Sequence, residues 1–205
     1  MDKPLSVRDG GFLVGLARTA INEYLSNRRI IDPPEDTPKY LLEKSGVFVS
    51  LHSTKPTRQL RGCIGYPFPT DPLAVATIRS AIEAATGDPR FEPVELSEFK
   101  SRVLVELSVL TLPERLTAQE PSERPKEIQI GTDGLIVGRG GRRGLLLPQV
   151  APEWNWDGEA FLCNCCLKAG LPPDAWLDKN TQVEKFQAVI FEELEPSGEV
   201  RLKEL

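Results

Sequence analysis

The sequence predicts an α+β fold, largely of antiparallel sheets covered by helices, and three observations predict it. Several short segments alternate apolar and polar residues with the period of a strand, as in "GVFVSLHS" and "SRVLVELSVL". Two longer segments carry helix start and stop signals, "DPLAVATIRSAIEAATG" and "WDGEAFLCNCCLKAG". Strands, a capped helix and a further strand then occur in that order twice, although residue identity between the two halves is not apparent.

Taken in order, residues 12–25 place Leu13, Leu16, Ala17, Ala20, Ile21 and Tyr24 on one helical stripe. The Pro- and charge-rich "NRRIIDPPEDTPKY" cannot continue a helix and reads as a loop. "GVFVSLHS" is a strand with Val47, Val49 and Leu51 on one face; "TKPTR" turns the chain and "QLRGCIGY" returns it. The helix that follows takes Asp71 as N-cap, Pro72 in its first turn and Gly87 at its end. "DPRFEPVELSEF" is a loop with one short helical turn, and "SRVLVELSVL" is a strand with Val103, Val105, Leu107 and Val109 on one face. "KEIQIGTDGLIVGRGGRRGLLLPQV" reads as short strands joined by Asp-Gly and Gly-Gly turns. The second capped helix takes Asp157 as N-cap and Gly170 past its end, and "QVEKFQAVIFEEL" is one final long strand.

Composition narrows the function classes. The chain has 205 residues with a net charge of −5, which disfavours nucleic acid, because binding phosphates needs a basic surface. No apolar run approaches the ~20 residues of a membrane span, and the first ten residues lack the layout of a signal peptide, so a cytoplasmic protein is expected. The four cysteines are then expected as thiols or ligands rather than disulfides. A single histidine, His52, excludes any mechanism that needs two.

"LRGCIG", residues 60–65, is the most distinctive stretch. A register that pairs Leu60 and Ile64 with the buried face of the preceding strand sends Ser50, Arg61 and Cys63 to the other face. Gly62 and Gly65 leave room there for a backbone or a ligand to approach. A thiol beside Arg61 would have a lowered pKa and act as a nucleophile, whereas a thiol under a covered face would be an inert packing group. Both readings stand. In this register His52 lies opposite Gln59, at a solvated strand end on the order of 13 Å from Cys63, outside hydrogen-bond reach.

Two other stretches invite site readings. Cys163 and Cys166 of "CNCC" share a helical face far from the helix start, and a zinc site would need two more ligands, so buried packing and no metal are expected. "VGRGGRRGLLL" fails the dinucleotide fingerprint, since the sixth position from Gly138 is Arg143, and it reads as a hairpin turn. A polar constellation is more promising: Asp88 and Arg90 in "GDPRF", with Glu106 and Ser108 on the strand face opposite the valines, would form a site if they meet Arg61 and Cys63. The alternative is turn chemistry for Asp88 and Arg90, with Glu106 facing water.

"LRGCIG", "DPRFEPV", "VELSVLTLPE", "GTDGLIV", "RRGLLLPQVAPEWNWD" and "FLCNCCLKAGL", in this order, closely resemble the AMMECR-one domain family from about residue 8 to residue 195. The resemblance implies one domain over 1–205, an α+β fold of two unequal lobes with a duplicated strand–helix–strand unit. The lobes are then drawn as 1–115 with 180–205, and 116–179. It also implies a cleft at Leu60, Arg61, Gly62, Cys63, Ile64 and Gly65, with Asp88, Arg90, Glu106 and Ser108 in other family-like segments. Cys163 and Cys165 look less typical of the family than Cys166. In many prokaryotes the domain occurs beside a Memo-type protein and a radical SAM protein, which implies a partner role in a modification system.

Two functions are therefore expected. One is an enzyme or enzyme subunit in which Cys63, Arg61 and Glu106 do the chemistry and Leu60, Gly62, Ile64, Gly65, Asp88, Arg90 and Ser108 line the substrate site, with no cofactor. The other is a non-catalytic module that binds a protein, a peptide or a small molecule in the same cleft.

Overall fold

The computed structural model describes residues 5–54 and 57–203. The expected turn in "TKPTR" falls partly outside them, at Lys55 and Pro56. The chain divides into two compact units, one made of the residues up to Leu110 and from Val189 onward, the other of Thr111–Ala188.

The first unit opens with α1 (Val7–Asn27), which starts a turn earlier than the apolar stripe indicates because Ser6 and Asp9 close a reciprocal capping box. It continues with strands β1 (Val47–Ser53) and β2 (Leu60–Tyr66), helices α2 (Leu73–Thr86) and α3 (Leu96–Arg102), and strand β3 (Val103–Leu110). Asp71 does not cap α2; its carboxylate accepts from Arg79 at 2.8 Å, and the helix begins after Pro72 without a side-chain cap. The second unit holds β4 (Glu114–Arg115), β5 (Gly134–Arg139), β6 (Arg142–Leu146), α4 (Val150–Glu153), α5 (Gly158–Lys168) and β7 (Gln182–Phe186). The chain then forms β8 (Ala188–Glu193) and β9 (Val200–Lys203).

Two expectations fail here. The final long strand is two strands, broken at Gln187: β7 joins a four-stranded sheet of order β4-β7-β5-β6, and β8 joins a five-stranded sheet of order β2-β1-β3-β8-β9. Periodicity alone cannot see a change of sheet, since both strands keep extended backbone. Among the described residues, 126–133 form no strand leading into Asp133-Gly134 either; Asp133 is buried and its carboxylate accepts the Gln129 N–H at 2.9 Å, folding the segment as a turn.

Other signals hold. Gly140 and Gly141 sit at φ 58° and 80° between β5 and β6, the left-handed pair that a tight hairpin requires. Asp157 caps α5 through the Ala160 N–H at 2.8 Å, and Gly170 follows the helix at φ 70°.

In the first unit the apolar residues of α1, α2 and α3 bury one face of the sheet, through Leu13, Ala17, Ile21, Ala81, Ala84 and Phe99 against Val47, Val49, Leu51, Val105 and Phe191. Each such large side chain contributes roughly 1.5–3 kcal/mol. In the second unit α5 packs Phe161, Leu162, Cys165 and Cys166 against Leu135 and Val137.

The duplication is visible in topology rather than in residues. A hairpin, a helix and a third strand that pairs with the hairpin's first strand give β2-β1-β3 in one unit and β6-β5-β7 in the other. Each second strand carries an Arg-Gly pair, Arg61-Gly62 and Arg143-Gly144. A Cβ on Gly62 would lie 2.0 Å from the carbonyl oxygen of Ala84 at the end of α2. A Cβ on Gly144 would lie 2.4 Å from the backbone nitrogen of Ala169 at the end of α5. The glycine is thus the point where the covering helix touches the strand in both copies. The residue that follows it is Cys63 in one and Leu145 in the other, so the thiol is not what the shared architecture needs.

Candidate functional site

The register fixes which residues meet. Ser50 lies opposite Cys63 on one side and opposite Glu106 on the other, so the three form a row across β2, β1 and β3. Their side chains lie on the face that the helices leave, because Val49, Leu51, Gly62, Val105 and Leu107 take the helix side. The expected placement of Ser50 and Cys63 on the non-core face holds.

Leu60 and Arg61 do not follow that expectation. The β1–β2 register slips between Leu51 and His52, and Leu60 falls opposite His52 instead of opposite the core residue Leu51. Leu60 is accordingly 38% exposed rather than a core partner. The Arg61 guanidinium turns to Glu98, at 2.9 and 3.2 Å, and to the carbonyls of Glu92 and Pro93, at 2.6 and 3.3 Å. Its hydrogen bonds tie β2 to α3 and the preceding loop, and none goes to Cys63.

Arg90 takes the place expected of Arg61. β2 is an edge strand, and among the described residues the outward N–H and C=O of Cys63 have no further strand to pair with. Asp88 Oδ2 accepts the Cys63 N–H at 2.8 Å, and Arg90 Nη2 donates to the Cys63 carbonyl at 3.2 Å. Asp88 and Arg90 also pair with each other at 2.7 Å, and Asp88 Oδ1 accepts the Arg90 N–H at 3.1 Å. The turn chemistry and the site therefore coincide: a short acid–base pair imitates a neighbouring strand and fixes the Cys63 backbone. The Arg90 guanidinium holds the Asp88 carboxyl well below the usual carboxylate range, against the effect of burial.

The Cys63 thiol is half-buried, and its Sγ accepts from the Ser50 hydroxyl at 3.2 Å. Burial pushes the thiol pKa up, more than Ser50 and Arg90 draw it down. The lowered pKa expected from a neighbouring arginine is not what this environment produces.

Glu106 does not face water; it is 8% exposed. Its Oε2 accepts from Lys203 Nζ at 2.8 Å, and its Oε1 lies 3.6 Å from His52 Nε2, too long for a hydrogen bond. Burial raises the carboxyl pKa, but His52 and Lys203 together outweigh it and bring Glu106 down to about 2. His52 is not at a solvated end: its side chain is 18% exposed and Nε2 is buried without a hydrogen-bond partner among the described residues. Two residues along β1 separate it from Ser50, which stands directly opposite Cys63. Its offset along the sheet from the row is thus roughly 7 Å, half the expected separation.

Of the other expected positions, Gly62 holds the contact with α2, Ile64 pairs with Val49 on the core side, and Gly65 meets Phe48, whose ring a Cβ would enter. Ser108 is buried two residues from Glu106 on the same face. Sequence reasoning left Lys203 out of the site, and it named Ser50 only as a neighbour. Ser50 was legible in the alternation of "VFVSLHS", whereas Lys203 reaches Glu106 from strand β9, 97 residues away in sequence.

The cysteines of "CNCC" pack in the second unit. Cys165 and Cys166 are buried on the packed side of α5, and burial pushes Cys165 up to about 12. Trp176 Nε1 donates to Cys163 Sγ at 3.3 Å. Among the described residues no group of three or more His, Cys, Asp and Glu is arranged to hold a metal ion. No helix among them is long and apolar enough to cross a membrane.

Comparison with known proteins agrees with this architecture. The family model described as AMMECR1 matches residues 14–191. Protein PYRAB00100 of Pyrococcus abyssi is 58% identical over 198 residues, 96% of each chain. A Thermofilum pendens protein is 53% identical over 203 residues, 96% of this chain and 95% of its own. The crystal structure of the uncharacterized protein PH0010 from Pyrococcus horikoshii superimposes with a TM-score of 0.85 at 55% identity, covering 96% of this chain and 97% of that one.

Proposed function

We propose, since this chain belongs to the AMMECR1 family, that it is a binding component of a modification system containing a Memo-type protein and a radical SAM protein. The polar face of the five-stranded sheet, around Cys63, Ser50 and Glu106, is the surface it uses. Reaction chemistry then belongs to the partners, and this chain supplies a rigid, pre-formed contact.

One observation carries the choice between binding and catalysis. The Cys63 thiol and the Asp88 and Glu106 carboxylates have their proton affinities moved away from the working range. The thiol is pushed up by burial, so little thiolate forms at neutral pH. Both carboxylates are held down by cations and make poor proton acceptors. At the same time the backbone of Cys63 is fixed by Asp88 and Arg90 and its thiol by Ser50. That arrangement suits a contact surface, where preorganisation limits the entropy cost of association.

The test is binding of the purified Memo-type protein from the same organism to the wild-type chain, to Cys63→Ser and to Leu60→Glu. Leu60 is the exposed apolar side chain on this strand. Retention of affinity within about twofold in Cys63→Ser, with a loss of tenfold or more in Leu60→Glu, is expected. Absence of binding to both the Memo-type and the radical SAM protein, or abolition by Cys63→Ser, overturns the reading and returns the enzyme hypothesis.

A further inference from the structure

A second polar feature lies at the far edge of the same sheet. Glu192 of β8 is 0% exposed, yet it carries a carboxylate with three cations around it. Arg201 donates to Glu192 Oε1 through Nε at 2.8 Å and Nη2 at 2.6 Å. Arg58 Nη2 donates to Oε2, and Lys203 Nζ stands 4.0 Å from the same oxygen while pairing with Glu106 at 2.8 Å. Arg58, Glu192, Arg201, Leu202 and Lys203 line a cavity of about 490 Å³.

A buried carboxylate needs one cation to balance it. Lys203 balances Glu106, which leaves two guanidinium groups on Glu192 and a surplus positive charge in the cavity. The chain as a whole carries a net charge of −5, so the surplus is local. A solvated surface pair would account for long side chains meeting above the surface, but not for a fully buried acid beneath them. Glu192 acts as an anchor that orients both arginines. Arg58 engages it through Nη2 alone and Arg201 through Nε and Nη2, so most of their N–H donors remain for another acceptor. All three cations keep an open side, with side chains 34%, 56% and 39% exposed for Arg58, Arg201 and Lys203. Arg58 also holds a left-handed backbone at φ 37°, a conformation rare for a residue with a side chain and one that gathers at ligand sites.

We propose that this cavity binds the phosphate group of a small molecule, held between the guanidinium groups of Arg58 and Arg201 with Lys203 beside them. Phosphate fits better than carboxylate because its several charged oxygens match forked donors arriving from two sides. The pocket shares Lys203 with the polar row, but the proposal stands without the partner reading above.

Titration calorimetry of the full chain with inorganic phosphate, at constant ionic strength and with acetate as a second titrant, tests it. Saturable one-site phosphate binding is expected, weakened tenfold or more in Arg201→Gln and in Arg58→Gln and unchanged in Arg79→Gln, a remote cation on α2. Arg201→Lys keeps the charge that Glu192 requires while removing the fork, so it reads the same loss if the glutamine variant fails to fold. Phosphate binding that is absent, that survives both Arg201→Lys and Arg58→Gln, or that acetate matches in affinity overturns the proposal.

Discussion

The carboxylate of Asp88 accepts the backbone N–H of Cys63 at 2.8 Å, at the outer edge of the five-stranded sheet. This bond ties a loop residue to the most distinctive motif of the chain and satisfies an amide that no strand pairs. Asp88→Ala should remove that acceptor and leave Arg90 without its partner. A destabilisation of about 2–4 kcal/mol is expected in chemical denaturation, because the side chain is almost fully buried. Hydrogen exchange at the Cys63 amide should accelerate well before that of Val49 in β1. Equal protection of the Cys63 amide in wild type and variant would mean that Asp88 does not cap this edge.

Glu106 makes the acid response specific. Its folded pKa of about 2 lies below the ordinary value of 4.5, so it contributes stability that is fully present above pH 4.5. That contribution is lost as pH falls through about 2. The shift corresponds to an upper limit on the order of 3 kcal/mol. Glu106→Gln should therefore lower stability at pH 7 and flatten the loss between about pH 4.5 and 2. Parallel stability–pH curves for the two proteins would contradict the assignment.

The duplicated glycines provide a paired test. Gly62→Ala drives a methyl group to 2.0 Å from the Ala84 carbonyl, and Gly144→Ala drives one to 2.4 Å from the Ala169 nitrogen. Both neighbours are backbone and cannot rotate away, so each substitution should cost on the order of 3 kcal/mol. Gly138→Ala, in β5, meets nothing nearer than 3.5 Å and should cost much less. Comparable midpoints for all three variants would show that the helices do not press on these strands.

The sequence made local features readable and long-range ones opaque. Ser50 and Cys63 share a face because alternation and a short turn set a hairpin register, and Asp157 and the Gly140-Gly141 pair declare a cap and a turn by their chemistry. Leu60 and Arg61 were misplaced by a single slip between Leu51 and His52, since one bulged residue reverses the faces beyond it. Asp71 had the form of an N-cap, but Arg79 takes its carboxylate instead. The Lys203–Glu106 and Arg201–Glu192 pairs depend on which strands become neighbours, and periodicity carries no information about that. The change of sheet at Gln187 is hidden for the same reason. Arg90 was named from its motif, but its role opposite the Cys63 carbonyl follows from β2 being an edge.

On the proposed reading, the row around Cys63 holds a partner and its thiol does not attack. The alkylation rate of each cysteine in the native protein against pH, resolved by peptide mass, decides between the two. Cys63 should react more slowly than an unstructured thiol, with a midpoint above the ~8.5 of a free thiol. Replacing Ser50 with Ala should raise that midpoint further, since the Ser50 hydroxyl favours the thiolate. Rapid labelling of Cys63 with a midpoint well below ~8.5 would contradict the account and make the thiol a nucleophile.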